Sequence, residues 1–259
     1  GALDALMEQE ADLYIAAGDL VSWGRGLDSL APALHHARLE WGKRLGKAMR
    51  ILVFSDIHGD RGALDALMEQ EADLYIAAGD LVSWGRGLDL LAPALQRRAP
   101  RVWVLPGNHE HESDIETFCQ RHKLNPLHGR HFEMDGWRIA GLGYSSPTPF
   151  NTPGEYTEEE FRERLARFSG LKPLILVCHC PPVDTALDRA AFGRHIGSSA
   201  VREFLDREQP AWFACGHVHE AAGVVTQLGS TRAVNAGKNG YLIEIPPVQT
   251  DPRGSTPSA

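Results

Sequence analysis

Short apolar runs alternate with amphipathic stretches along most of this chain. Ile51 to Phe54, Leu74 to Ala78 and Val102 to Leu105 are runs of strand formers bounded by polar or glycine-containing segments. Between the first two, Leu64, Leu67 and Met68 share one face at helical spacing, which predicts a helix over 63–71. A second helix is predicted over 88–97 despite Pro93. Further on, Trp137 to Leu142, Leu174 to Cys178, Trp212 to Cys215 and Tyr241 to Ile245 read as strands, with helices near 158–168 and 198–208. The alternation predicts an α/β domain in which helices are layered on sheet.

One stretch breaks the simple order. GALDALMEQEADLYIAAGDLVSWGRGLD occurs at Gly1 to Asp28 and again at Gly62 to Asp89, and the match runs on to Leu34 and Leu95 with Ser29 against Leu90 as its one difference. A single extra copy is no solenoid, which needs about three stacked units, and copies this alike point to a recent duplication, an engineered one or an error in assembling the sequence. The segment MRILVFSDIHGD, from Met49, has the form of a protein beginning. Residues 1–48 are therefore expected to be a partial duplicate plus linker, 49–245 the functional domain, and 246–259, rich in Pro, Ser and Thr, a flexible tail. Asp19 copies Asp80 but lacks the polar residues that accompany Asp80. The first copy is expected to pack outside the domain, to stay loosely ordered or to swap into a neighbouring chain, and removal of residues 1–48 to leave a complete enzyme.

The 259 residues, 43% hydrophobic and 23% charged, have the composition of a soluble globular protein. No apolar run approaches the roughly 20 residues that cross a bilayer, and no signal-like start is present, so a cytoplasmic protein without membrane contact is expected. The formal net charge of −8 gives no long-range attraction to nucleic acid, which argues against a nuclease. Cys119, Cys178, Cys180 and Cys215 are read as reduced thiols, those beside His179 as apolar packing. His111, His122, His128 and His131 are read as ordinary loop residues.

Metal-ligand types collect where predicted strands end. Asp56 and His58 follow the first, Gly79-Asp80 the second, Gly107-Asn108-His109-Glu110 the third, His179 a later one, and Gly216-His217-Val218-His219 another. Ligand sites of open α/β sheets lie outside the carboxyl ends of the strands, so these loops can converge in one crevice. The segments SDIHGD, AAGDL, PGNHE, VCHCPP and CGHVHE, in this order over 49–245, resemble the calcineurin-like metallophosphoesterase superfamily. SSPTPFNTP, GRHIGS and GHVHEAAG are more narrowly similar to the Icc-like phosphoesterases of bacteria and archaea.

The resemblance implies a layered α/β/β/α sandwich with a dinuclear metal site. It implies a first cation on Asp56, His58, Asp80 and His219 and a second on Asp80, Asn108, His179 and His217, with Asp80 bridging ions about 3.5 to 4 Å apart. Mn is the expected metal, although Fe, Zn, Ni or Co suit the same donors. The implied reaction is hydrolysis of a small phosphoester, nucleotides among the candidates, by a hydroxide bridging the two ions, with His109 as general acid. A non-catalytic metal-binding scaffold of the same fold is the alternative outside enzymes.

The protein Ser/Thr phosphatases of this superfamily carry Asp and Arg where this chain has Ser83 and Trp84, which makes a phosphoprotein substrate less fitting and leaves His109 without its usual partner. Asn108 is a candidate substrate contact as well as a ligand. Arg194 and His195 are candidates for the missing phosphate contact, since a guanidinium presents a fork matched to phosphate. The proline-rich SSPTPFNTP is expected to be an irregular loop that shapes substrate choice.

Overall fold

The computed structural model describes residues 48–248. The first copy of the repeat, its Asp19 and most of the expected tail lie outside the described residues.

Several central strands are apolar at consecutive positions because both of their faces are covered. In β1 (Met49–Phe54), Ile51 and Val53 point between two sheets, whereas Leu52 and Phe54 point to a helical layer. The same division holds in β2 (Leu74–Ala78), where Ile76 faces the other sheet and Tyr75 the helices. In β7 (Leu174–Cys178), Ile175 and Val177 face inward between the sheets and Leu176 faces helices. Burial on both faces is what turns a strand into an unbroken apolar run.

The first sheet has the order β11-β1-β2-β3-β4, with β3 at Val102–Leu105, β4 at Asn125–Pro126 and β11 at Tyr241–Ile245. The second has the order β5-β6-β7-β8-β10-β9, with β5 at Arg130–Met134, β6 at Trp137–Leu142, β8 at Trp212–Cys215, β9 at Val225–Leu228 and β10 at Thr231–Asn235. Helices α1 (Arg61–Glu69), α2 (Ala92–Gln96) and α3 (Glu112–His122) lie on the first sheet, and α4 (Glu158–Leu165) and α5 (Ser199–Glu208) on the second. The layers are α/β/β/α, as the resemblance implies. No helix among the described residues is long and apolar enough to cross a membrane.

Local chemistry sets the ends. Asp60 caps α1 through a bond from Ala63 N (3.0 Å), and Thr157 with Glu160 forms a capping box on α4. Pro93 is tolerated because it stands in the first turn of α2, where its missing N–H has no partner to lose. The stretch predicted as one helix over 88–97 is a 3₁₀ turn, Leu88–Leu90, followed by α2, and the one predicted to 168 ends as α4 before a 3₁₀ turn. Three of the histidines read as loop residues are not plain loop positions. His122 ends α3, His131 lies in β5, and His128 is buried, bonded to Gly143 N (2.9 Å) and Tyr156 Oη (3.0 Å). Cys178, Cys180 and Cys215 pack in the core beneath α4 and α5.

Strands β1, β2 and β3 are parallel and in register, with Phe54 level with Ala77 and Ala78 level with Leu105. Strands β6, β7 and β8 are parallel in the second sheet, with Leu142 level with Cys178. The loops that follow five of these strands carry every candidate metal ligand.

Candidate metal centre

Residues Asp56 to His58 leave β1, Asp80 leaves β2, Asn108 and His109 leave β3, His179 leaves β7, and His217 to His219 leave β8. Four of the seven candidate ligands, Asp56, His58, Asp80 and His217, have φ of 57°, 47°, 51° and 69°. The left-handed region costs a non-glycine residue roughly 1–2 kcal/mol, and such strain concentrates at functional sites. The loops also crowd one another. A Cβ at Gly107 would overlap the Asp80 carboxylate, and one at Gly79 would lie 2.6 Å from His179 Nδ1. Glycine at both positions lets the GD and GNHE turns close on each other.

Two groups of donors result. In the first, His58 Nε2 lies 3.1 Å from His219 Nε2 and 3.7 Å from Asp80 Oδ2, and His219 Nε2 lies 3.5 Å from Asp56 Oδ1. In the second, Asn108 Oδ1 lies 3.1 Å from His179 Nε2 and 2.9 Å from His217 Nδ1, and His179 Nε2 lies 3.6 Å from Asp80 Oδ2. Asp80 Oδ2 is therefore shared between them. Asp56, His58 and His219 have ligand atoms close enough to share one ion, as do Asp56, Asp80 and His179. Imidazole nitrogens, carboxylates and one amide oxygen turned toward common points fit divalent transition-metal ions.

Electrostatics follow the same geometry. Burial, then the neighbouring His179, pushes His217 down to about 4, which keeps its ring neutral. Burial also works against a charge on His179, but the Asp80 carboxylate outweighs it and lifts this group to about 9. For Asp80, burial pushes upward, and His179 with the His109 N–H holds it well below the usual carboxylate range. His179 Nδ1 faces the Ala78 carbonyl at 2.8 Å, and a carbonyl only accepts, so Nδ1 carries the hydrogen and Nε2 is the atom turned to the centre.

The partners around these groups are what motif reading missed. Glu110, fully buried, accepts from Asp80 N (3.1 Å), Val82 N (2.9 Å) and Gly107 N (2.8 Å), joining the GD and GNHE loops through one carboxylate. Burial, then the Asp80 charge, pushes its pKa up to about 8, against the Val82 and Gly107 N–H groups, which favour the ionised form. Ser83 Oγ bonds His58 Nδ1 at 3.1 Å, so the residue that replaces the phosphatase Asp holds a candidate ligand instead of His109. His109 is held by the main chain. Its backbone N–H donates to Asp80 Oδ1 (3.0 Å), and its ring Nδ1 accepts from Trp84 N (3.3 Å), which leaves Nε2 free to donate. In the GNHE segment Glu110 is a letter without an evident role, and a backbone N–H has no letter at all.

Arg194 and His195 stand apart. His195 Nδ1 bonds the buried Asp188 carboxylate at 2.7 Å, and Arg194 is exposed on the same loop. Among the described residues, no hydrogen bond or ion pair joins either to the seven candidate ligands. Their loop does lean on the centre's edge, since Ala191 N donates to Glu220, the neighbour of His219. A cleft of about 630 Å³ opens beside Asp56, His58 and His219, with Asp60, Lys238 and Asn239 on its other walls. A smaller hollow of about 220 Å³ between α1 and α2 contains none of these groups.

Comparison with known proteins gives the fold and the family. An uncharacterized protein of Methanocaldococcus jannaschii is 30% identical over 203 residues, spanning 76% of this chain and 92% of that protein. Among solved structures, a Thermus thermophilus protein superposes with a TM-score of 0.58 at 19% identity, covering 74% of this chain and 91% of its own. The phosphopantetheinyl hydrolase of Mycobacterium tuberculosis superposes with a TM-score of 0.56 at 16% identity, covering 82% and 100%. These two likenesses show the shared fold. Residues 49–221 match the calcineurin-like phosphoesterase family, and with the two-sheet architecture this makes the chain a member of that family.

Proposed function

We propose that this protein hydrolyses a small phosphoester at a dinuclear centre, with one cation on Asp56, His58, Asp80 and His219 and the other on Asp80, Asn108, His179 and His217. The observation that carries the reading is the position of Asp80 Oδ2, 3.7 Å from His58 Nε2 and 3.6 Å from His179 Nε2, on the boundary of both donor groups. Two divalent ions held there, Mn being our first choice, supply Lewis acidity toward phosphoryl oxygens and lower the pKa of water.

The chain's own residues do the rest. His58 is oriented by Ser83, and His179 by the Ala78 carbonyl, so that each presents Nε2 inward. His109 presents an Nε2 donor fixed by Trp84 N. With Nε2 free to donate, His109 is the candidate donor to the ester's leaving oxygen as charge develops there. The cleft beside His58 and His219 has the size of a small-molecule site, and mononucleotides and cyclic nucleotides are the first natural esters to test in it. A net charge of −8 disfavours a long nucleic acid.

The test is metal content together with hydrolysis of bis(p-nitrophenyl) phosphate and p-nitrophenyl phosphate in Mn. Two ions per chain with turnover of either ester is the expected result, and stoichiometric metal without turnover of any phosphoester sinks the enzymatic reading in favour of a scaffold. His109→Ala should lose more rate on esters with poor leaving groups than on p-nitrophenyl esters. An equal loss on both removes the leaving-oxygen role.

A further inference from the structure

The loop over 143–157, between β6 and α4, contains Ser145 to Pro153 and has no part in the chemistry above. It rests directly on the turn after β3. Gly154 N donates to the Asn108 carbonyl (2.9 Å), and Asn108 Nδ2 donates to Thr152 Oγ1 (3.3 Å). Thr152, itself buried, is fixed by Glu155. One oxygen of that carboxylate, Oε1, accepts from Thr152 N (2.8 Å), from Thr152 Oγ1 (2.6 Å) and from Thr148 Oγ1 (2.7 Å).

The direction of these bonds decides the orientation of Asn108. A carboxylate accepts only, and a threonine hydroxyl has one proton. That proton is committed to Glu155, so toward Asn108 the Thr152 oxygen is an acceptor. An acceptor selects the NH₂ end of the amide, which turns Oδ1 toward His179 Nε2 and His217 Nδ1. In the reversed amide, its oxygen would face a hydroxyl with no proton left to give, and its NH₂ group would occupy the place of a ligand oxygen.

We propose that Thr152 and Glu155 are positioning residues of the centre: the chain from Glu155 through Thr152 holds the Asn108 amide with its oxygen toward the second cation. The inference rests on the dinuclear reading above and adds to it the part played by the proline-rich loop. Outer partners of this kind typically change metal affinity about 10–100-fold.

The experiment titrates the metal-free full-length protein with Mn and follows free Mn by electron paramagnetic resonance. Wild type should take up two equivalents. Thr152→Val, nearly the same shape without the hydroxyl, should weaken one equivalent about 10–100-fold and leave the other unchanged. Its hydrolysis should recover as Mn is raised, so that the half-saturating Mn concentration moves and kcat does not. Thr152→Ser should restore both equivalents, and Glu155→Gln, which keeps an accepting oxygen, should fall between. In an Asn108→Ala background, Thr152→Val should add no further loss, because the amide through which it acts is gone. Wild-type binding of both equivalents by Thr152→Val, a Thr152→Ser as weak as Thr152→Val, or full additivity with Asn108→Ala would each overturn the inference. A wild-type protein that takes up no second equivalent fails the dinuclear reading and this inference together, and the wild-type titration alone reports that.

Discussion

The two sheets contribute different chemistry to one edge of the molecule. The loops after β1, β2 and β3 bring both carboxylates and the amide, together with His58 and His109, whereas the loops after β7 and β8 bring only imidazoles, His179, His217 and His219. Neither sheet has a complete donor set. Their loops are also anchored with opposite polarity. In the first sheet, the Glu110 carboxylate gathers three backbone N–H groups. In the second, the two protons of Asn235 Nδ2 are shared among three backbone carbonyls, those of Leu187, Gly216 and Val218. The difference has an energetic consequence. An N–H has one proton to place, but a carbonyl has two lone pairs, and the Gly216 and Val218 carbonyls already accept from Val218 N and Ala221 N. Losing the acceptor strands its donors, while losing the donor leaves most acceptors still served.

This contrast can be broken from its strong side first. Glu110→Ala leaves three N–H groups without their acceptor at about 1–3 kcal/mol each, so a loss of at least about 3 kcal/mol is expected in denaturant unfolding, along with impaired metal binding. A loss below about 1 kcal/mol would show that water replaces the carboxylate freely. Asn235→Ala should cost less, about 1–2 kcal/mol, for the reason just given. If it proves the costlier of the two, the polarity argument fails. Ser83→Ala should change stability by no more than about 0.5 kcal/mol, as expected of a site away from the core. It should nevertheless weaken Mn binding about tenfold through the loss of the bond to His58 Nδ1. Asp19→Asn in the repeated segment should change neither activity nor metal content, in contrast to Asp80→Asn.

Most strands were readable because being covered on both faces leaves a run of apolar letters, and of the seven predicted strands six coincide with the observed bounds and β1 begins two residues earlier than expected. What escaped was the polar periphery and the buried strand β10, whose Thr231, Arg232 and Asn235 leave only two apolar letters. Helix α3 turns Ile115, Phe118 and Cys119 inward at the same spacing as Leu64, Leu67 and Met68 of α1, a period that the sequence does carry and that was passed over, whereas β5 and β9 are outer strands whose residues are largely exposed or half-buried. At the centre, the candidate ligands stood out because metal chemistry restricts such residues to a few letters at strand ends. Their supports were not. Trp84 acts on His109 through its backbone, and Thr152 reaches Asn108 from 44 residues away along the chain. Ser83 could be read only as a missing Asp, because its bond to His58 depends on how two loops fold against each other.

The central claim is that both sheets build one centre shared through Asp80. Electron paramagnetic resonance of the full-length protein loaded with two equivalents of Mn tests it most directly. The account predicts the spectrum of a magnetically coupled Mn pair in wild type and its loss in Asp80→Asn. Two independent, uncoupled Mn signals in wild type, or a coupled pair that survives Asp80→Asn, would contradict it.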